Sequence, residues 1–295
     1  MPAIATISWG VQTTLQLAIG CQALTRLERH GKQATWRLLA GSVAVSVLIG
    51  AVGIRFPAPL PTETMVLESQ DNGRIHIDVF LPPGSGPHPA VMVFHGVEGA
   101  SNLVRRAVHF PNAYAIRQKG YATFFVRYFD GQPYRNLALR TPTGLDMEAV
   151  ETIRLRDYRD WIATAKRAIT RIRDRDDIDP DRVAVIGYSL GCYVGSAAVA
   201  ELATKEFPAA FVGNFGGIWP EIELPERFPP SQFYHGEDDE TIPLALALEA
   251  VNRLRAVGIA CELVTYPDQG HVPDGPDGLQ IRRDTERFLE RTLKP

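Results

Sequence analysis

The stretch "VAVIGYSLGCYVG", Val183–Gly195, sets one serine between two glycines, after an apolar run and before a small-residue run. The apolar run reads as a strand and the alanine-rich continuation as a helix, so Gly187-x-Ser189-x-Gly191 falls in the turn between them. A turn of this kind holds the serine in a strained backbone conformation with Oγ exposed, and its glycines remove side chains that would collide with the adjoining strand and helix. Without that setting the pattern is a compact turn. With it, Ser189 is a candidate nucleophile.

Outward from this stretch, short apolar runs alternate with longer amphipathic segments, the pattern of a parallel sheet covered by helices on both faces. Strands are expected at 90–95, 121–128, 182–188, 209–215, 231–235 and 261–267, with helices at 103–119, 151–174, 190–204, 243–257 and 276–292. In the second helix Tyr158, Trp161, Ile162, Ala165, Ile169 and Ile172 recur at three- and four-residue intervals, which marks a buried stripe. Ahead of these, "TMVLESQDNGRIHIDVFLP" reads as an antiparallel pair of strands turning at Asp71-Asn72-Gly73. The expected fold class is therefore α/β, with a mostly parallel sheet of about eight strands. Residues 129–150 read as a loop over one end of it.

A serine hydroxyl is a weak nucleophile until a base removes its proton, so a histidine oriented by a carboxylate is required. His271 in "DQGHVP" follows the last strand, and Asp238 and Asp239 follow another in "YHGEDDETIP". Both places are strand C-terminal ends, where ligand crevices form in open α/β sheets. His95 and His235 also stand at strand ends. In chain order the candidates are Ser189, then Asp238 or Asp239, then His271.

With "GYSLGC" at 187–192, "GEDDETIP" at 236–243 and "DQGH" at 268–271, residues 63–292 resemble the α/β hydrolases and, within them, the dienelactone hydrolase family. The resemblance implies a Ser189–His271–Asp239 triad, Asp239 being preferred to Asp238 because the family's acid falls in G-x-x-D-x-x-V/I-P. It also implies that "VFHGVEGAS" supplies an oxyanion donor, so the backbone N–H groups of Val97 and Leu190 are the candidate oxyanion hole and His95 lines the site or supports it. The family's lactone-cleaving members have a cysteine nucleophile, a glutamate where this chain has Gly96, and substrate-binding arginines where approximate matching finds Gly131 and Gly275. A carboxylated lactone is thus a poor substrate expectation, while the reaction class stands. Glu98 and Trp219 are candidate substrate-binding residues, each weighed against a solvated or packing role, and Cys192 reads as a helix-packing residue.

The 295 residues suffice for one large domain, and a net charge of −3 without a basic block gives no reason to expect nucleic acid as a partner. Three widely spaced cysteines fit no disulfide framework or zinc motif, and the seven histidines contain no H-E-x-x-H. No metal or other cofactor is expected. "LLAGSVAVSVLIGAVGI", residues 38–54, is uncharged over roughly 17 positions, the lower limit for a bilayer span. Residues 1–37 place Arg26, Arg29, Lys32 and Arg37 on its N-terminal side against Glu28, which predicts a cytoplasmic flank with the rest of the chain outside. The expected N-terminal hydrophobic helix is then either an uncleaved anchor or a signal peptide cut near Gly53, with the proline-rich residues 55–62 linking it to a domain at 63–295. The expected function is a serine hydrolase of a small carboxylic ester or lactone. A peptidase or thioesterase with the same triad is the alternative, and a non-catalytic ligand-binding module at the membrane is the alternative of another class.

Overall fold

In the computed structural model, which describes residues 60–68, 73–100, 103–130, 140–141, 144–202 and 207–293, the apolar runs become strands and the amphipathic segments become helices. In chain order these are β1 (Glu63–Glu68), β2 (Arg74–Phe80), β3 (His88–Phe94), α1 (Leu103–Gln118), β4 (Ala122–Val126), the two-residue strands β5 (Arg140–Thr141) and β6 (Gly144–Leu145), and α2 (Met147–Arg173). They continue with β7 (Ile178–Tyr188), α3 (Leu190–Ala200), β8 (Ala210–Asn214), β9 (Ser231–Gly236), α4 (Leu244–Ala256), β10 (Cys261–Tyr266) and α5 (Gly275–Leu293). The unit that carries the main sheet comprises Leu60–Ser101 and Pro111–Pro295. Of the other, Met1–Pro59 with Asn102–Phe110, only the opening of α1 is described.

The main sheet has eight strands in the order β1-β2-β4-β3-β7-β8-β9-β10. β2 pairs antiparallel with β1 and with β4, and the remaining neighbours are parallel. From β3 the chain moves one way to β4 and then the other way to β7, so right-handed crossovers send α1 and α2 to opposite faces. α5 returns to the α1 face, where Arg282 donates to Asn112 at 2.7 Å and Lys119 pairs with Glu286 at 3.0 Å. The reversal between β3 and β7 is the topological switch point, the place where such sheets open a crevice. Register sets the strand ends there abreast: Tyr188 faces Asn214, Asn214 faces Tyr234, and Tyr266 faces Gly236.

The core lies between sheet and helices. Every residue of β4, β8 and β9 is buried, as continuous apolar runs in a doubly covered sheet require. On α2 the stripe is as expected: Trp161, Ile162, Ala165, Ile169 and Ile172 are buried and Tyr158 packs partly buried against them. Burial of each large side chain of this kind stabilises by about 1.5–3 kcal/mol.

Three boundaries differ from expectation by four residues each. α2 starts at Met147, four residues early, because the Asp146 carboxylate accepts the Ala149 N–H at 3.0 Å and caps the helix inside what read as a loop. β7 starts at Ile178 rather than 182, since a register shift between His88 and Ala90 accommodates the Asp179-Pro180-Asp181 segment. α3 ends at Ala200 rather than 204. The β1–β2 hairpin pairs as expected, but Asp71 and Asn72 lie outside the described residues. So do the basic flank 1–37, the uncharged segment 38–54 and the expected hydrophobic helix; among the described residues no helix is long and apolar enough to cross a membrane.

Candidate active site

Ser189 sits between β7 and α3 with φ 52° and ψ −120°, a left-handed conformation that a non-glycine residue adopts at a cost of about 1–3 kcal/mol. Neighbouring backbone holds it there. Its N–H donates to the Asn214 carbonyl at 2.8 Å, and its own carbonyl accepts the Cys192 N–H at 2.9 Å. The flanking glycines have a steric reason: a Cβ on Gly187 would meet the backbone of Gly191 and Cys192, and one on Gly191 would meet the carbonyls of Phe94 and His95 at the end of β3.

His271, after β10, brings Nε2 to 2.9 Å from Ser189 Oγ and Nδ1 to 2.8 Å from Asp239 Oδ2. An ionised carboxylate only accepts, so Nδ1 carries the proton and Nε2 is left to accept from the serine hydroxyl. The imidazole side chain is 21% exposed and the Asp239 side chain 0%, so the ring is open to solvent while its carboxylate partner is shielded from water. Asp239 Oδ1 accepts the N–H groups of Thr241 at 2.9 Å and Ile242 at 2.8 Å, which fixes the carboxylate in its turn. Burial alone would push this carboxyl up, but hydrogen bonds from His235, His271 and the Ile242 N–H outweigh it and hold it well below the usual carboxylate range. Asp238 instead donates its N–H to the Gln269 carbonyl at 2.9 Å, tying together the loops that carry Asp239 and His271.

His235 is the residue that sequence reasoning passed over. It stands four positions before Asp239, fully buried, with Nε2 at 3.2 Å from Asp239 Oδ2 and 2.8 Å from the Ile242 carbonyl. A histidine at a strand end carried no signal of this contact, because the turn after β9 folds the carboxylate back over its own strand. Phe215, with φ 56°, is a second such residue; its ring lies edge-on to His271 at 6.3 Å.

The loop after β3 passes beside the serine: the point where a Gly96 Cβ would sit is 3.2 Å from Ser189 Cβ and closer still to Glu98 Oε2. Glu98, a candidate for substrate binding weighed against a solvated role, turns its carboxylate back to accept the Gly96 N–H at 3.0 Å. His95 is fully buried and stacked on Tyr128 with ring centroids 4.3 Å apart, and the Tyr128 hydroxyl donates to the His95 carbonyl at 2.8 Å. His95 Nδ1 donates to the Gly96 carbonyl at 2.8 Å, and the Gly99 N–H donates to the same oxygen at 3.2 Å. That carbonyl shares a peptide plane with the Val97 N–H, which a trans peptide directs to the opposite side. Leu190 opens α3, where first-turn N–H groups have no partner within the helix.

Trp219, the other candidate, is 6% exposed in an aromatic cluster, stacked on Tyr193 at 5.5 Å and edge-on to Tyr158 at 5.6 Å. Arg154 lies over its ring at 5.5 Å, so the indole is held within a packed cluster. Cys192 is buried in α3, and burial pushes its thiol up, away from the thiolate that a second nucleophile would need.

Two family models match the chain: acetyl xylan esterase (AXE1) over residues 63–216, slightly more than half of it, and phospholipase/carboxylesterase over 156–281. This chain belongs to the acetyl xylan esterase family of α/β hydrolases. Both matched descriptions are of carboxylic ester hydrolases, and the chain is one. Solved structures share the hydrolase's fold. Thermogutta terrifontis esterase 2 in its apo form aligns at TM-score 0.60 and 19% identity, covering 82% of this chain and 100% of its own. A sugar hydrolase from Lactococcus lactis aligns at 0.57 and 14%, covering 79% and 99%. MGS-M1, an α/β hydrolase from a Medee basin deep-sea metagenome library, aligns at 0.55 and 19%, also covering 79% and 99%.

Proposed function

We propose that this hydrolase cleaves small, uncharged carboxylic esters through an acyl-enzyme on Ser189. The observation that carries this reading is the hydrogen-bond chain from Ser189 Oγ through His271 to Asp239, at 2.9 and 2.8 Å. His271 Nε2 takes the hydroxyl proton as Oγ attacks the ester carbonyl, and the Val97 and Leu190 N–H groups receive the oxyanion. The protonated His271, balanced by the Asp239 anion, returns the proton to the leaving alkoxide; water then attacks the acyl-enzyme with His271 again as base. Losing one oxyanion donor would cost about 3 kcal/mol of transition-state stabilisation.

Family membership makes acetyl esters, including those on sugars, the first substrates to assay. Gly96 in place of a glutamate and serine in place of cysteine argue against the carboxylated lactones of the dienelactone hydrolases. The uncharged segment 38–54 with its basic N-terminal flank supports a domain held outside the cytoplasm, tethered if the segment is retained and released if it is cleaved.

A fluorophosphonate probe tests the nucleophile. The native protein should be labelled on Ser189 and Ser189→Ala should not; equal labelling of both would overturn the assignment.

A further inference from the structure

His235, the fifth residue of β9, is fully buried. Its Nε2 lies 2.8 Å from the Ile242 carbonyl, which can only accept, so the proton is on Nε2. The same nitrogen lies 3.2 Å from Asp239 Oδ2. Nδ1 is then an acceptor, and it is buried with no hydrogen-bond partner among the described residues. A buried nitrogen left unsatisfied is destabilising, so an apolar side chain of similar volume would fill this space better if filling it were the whole role.

The carboxylate explains why the imidazole is there. Oδ1 accepts from the Thr241 and Ile242 N–H groups, and Oδ2 accepts from His271 Nδ1 with His235 Nε2 lying 3.2 Å away. An ionised carboxyl has about four acceptor directions, and three are taken by these N–H donors. His235 stands against the oxygen that orients His271. By also holding the Ile242 carbonyl it closes the Asp239–Ile242 turn against β9.

We infer that His235 is a positioning residue: its Nε2–H holds the Ile242 carbonyl and so fixes the turn whose carboxylate, Asp239, aims His271 at Ser189. This rests on the proposed roles of Ser189, His271 and Asp239. Loss of this donor releases the Ile242 carbonyl and frees the Asp239 carboxylate to shift, and a displacement of the order of 1 Å at a catalytic group lowers turnover about a hundredfold.

The test compares His235→Leu, which removes the donor, with His235→Gln, which restores a side-chain N–H, on p-nitrophenyl acetate. The Leu variant should lose about 10- to 100-fold in kcat with KM within about twofold, and the Gln variant should recover most of the loss. A filler role would instead lower the melting temperature and leave kcat per labelled serine unchanged. Ser189-dependent hydrolysis with kcat untouched by His235→Leu would overturn the inference alone, whereas hydrolysis surviving in Ser189→Ala would overturn the site reading beneath it. Proton NMR gives a measurement that does not need a folded His235 variant. The ring N–H resonances of both His235 and His271 should move when Asp239→Asn is introduced, and a stationary His235 resonance would refute the contact.

Discussion

At the scale of single residues, the Asp239 carboxylate meets three N–H donors and the His235 ring, and that sets its electrostatics. Burial alone would raise its carboxyl, yet the hydrogen bonds of His235, His271 and the Ile242 N–H hold it well below the ordinary range. A folded-state value below the unfolded one means the group stabilises the fold above the ordinary carboxylate range, and that contribution drains away as pH falls toward the lowered value. Asp239→Asn should therefore flatten the acid side of the stability curve below about pH 4, read from melting temperatures between neutral pH and about pH 3. In the same variant kcat should fall about 10⁴-fold, because the amide no longer selects the tautomer that accepts from Ser189. An undiminished kcat would remove Asp239 from the mechanism. Ser189, Asp239 and His271 were legible as residue types in order after strands, whereas His235 was not, since its contact depends on a turn that folds back on its own strand.

At the scale of elements, the β7–α3 turn succeeds because two glycines let three backbones meet. Gly191 lies against the Phe94 and His95 carbonyls of β3, and Gly187 against the first turn of α3. A methyl group on Gly191 has only backbone to displace, so Gly191→Ala should destabilise by about 1–3 kcal/mol, lowering Tm by a few degrees per kcal/mol, and should suppress fluorophosphonate labelling. A variant of native Tm and full labelling would show that β3 and α3 can move apart freely. Periodicity revealed the elements well. What it missed were the ends, where single side chains decide: the Asp146 cap starts α2 early, and the shift between His88 and Ala90 lengthens β7.

At the scale of the molecule, residues from the ends of β3, β7, β9 and β10 gather at one edge of the sheet, where the crossovers reverse direction. The remaining molecular question is where this edge faces, and residues 38–54 bear on it through their lack of charge. The full chain expressed in bacteria should sediment with membranes and resist release by salt while dissolving in detergent, as a retained apolar span requires. Protease added outside the inner membrane should digest the 63–295 domain. Recovery in the soluble cytoplasmic fraction, with the domain protected, would refute the exported topology.

Alternation of apolar runs with amphipathic segments was enough to specify an α/β sheet, its approximate strands and a serine turn, because burial imposes one period on strands and another on helices. Which carboxylate and which histidine meet that serine is a matter of distance between positions far apart in the chain. Parallel register and two loop turns bring residues 189, 239 and 271 within 3 Å contacts and add His235 to the same oxygen. No local pattern encodes that convergence, because it arises from how packed strands stack their ends.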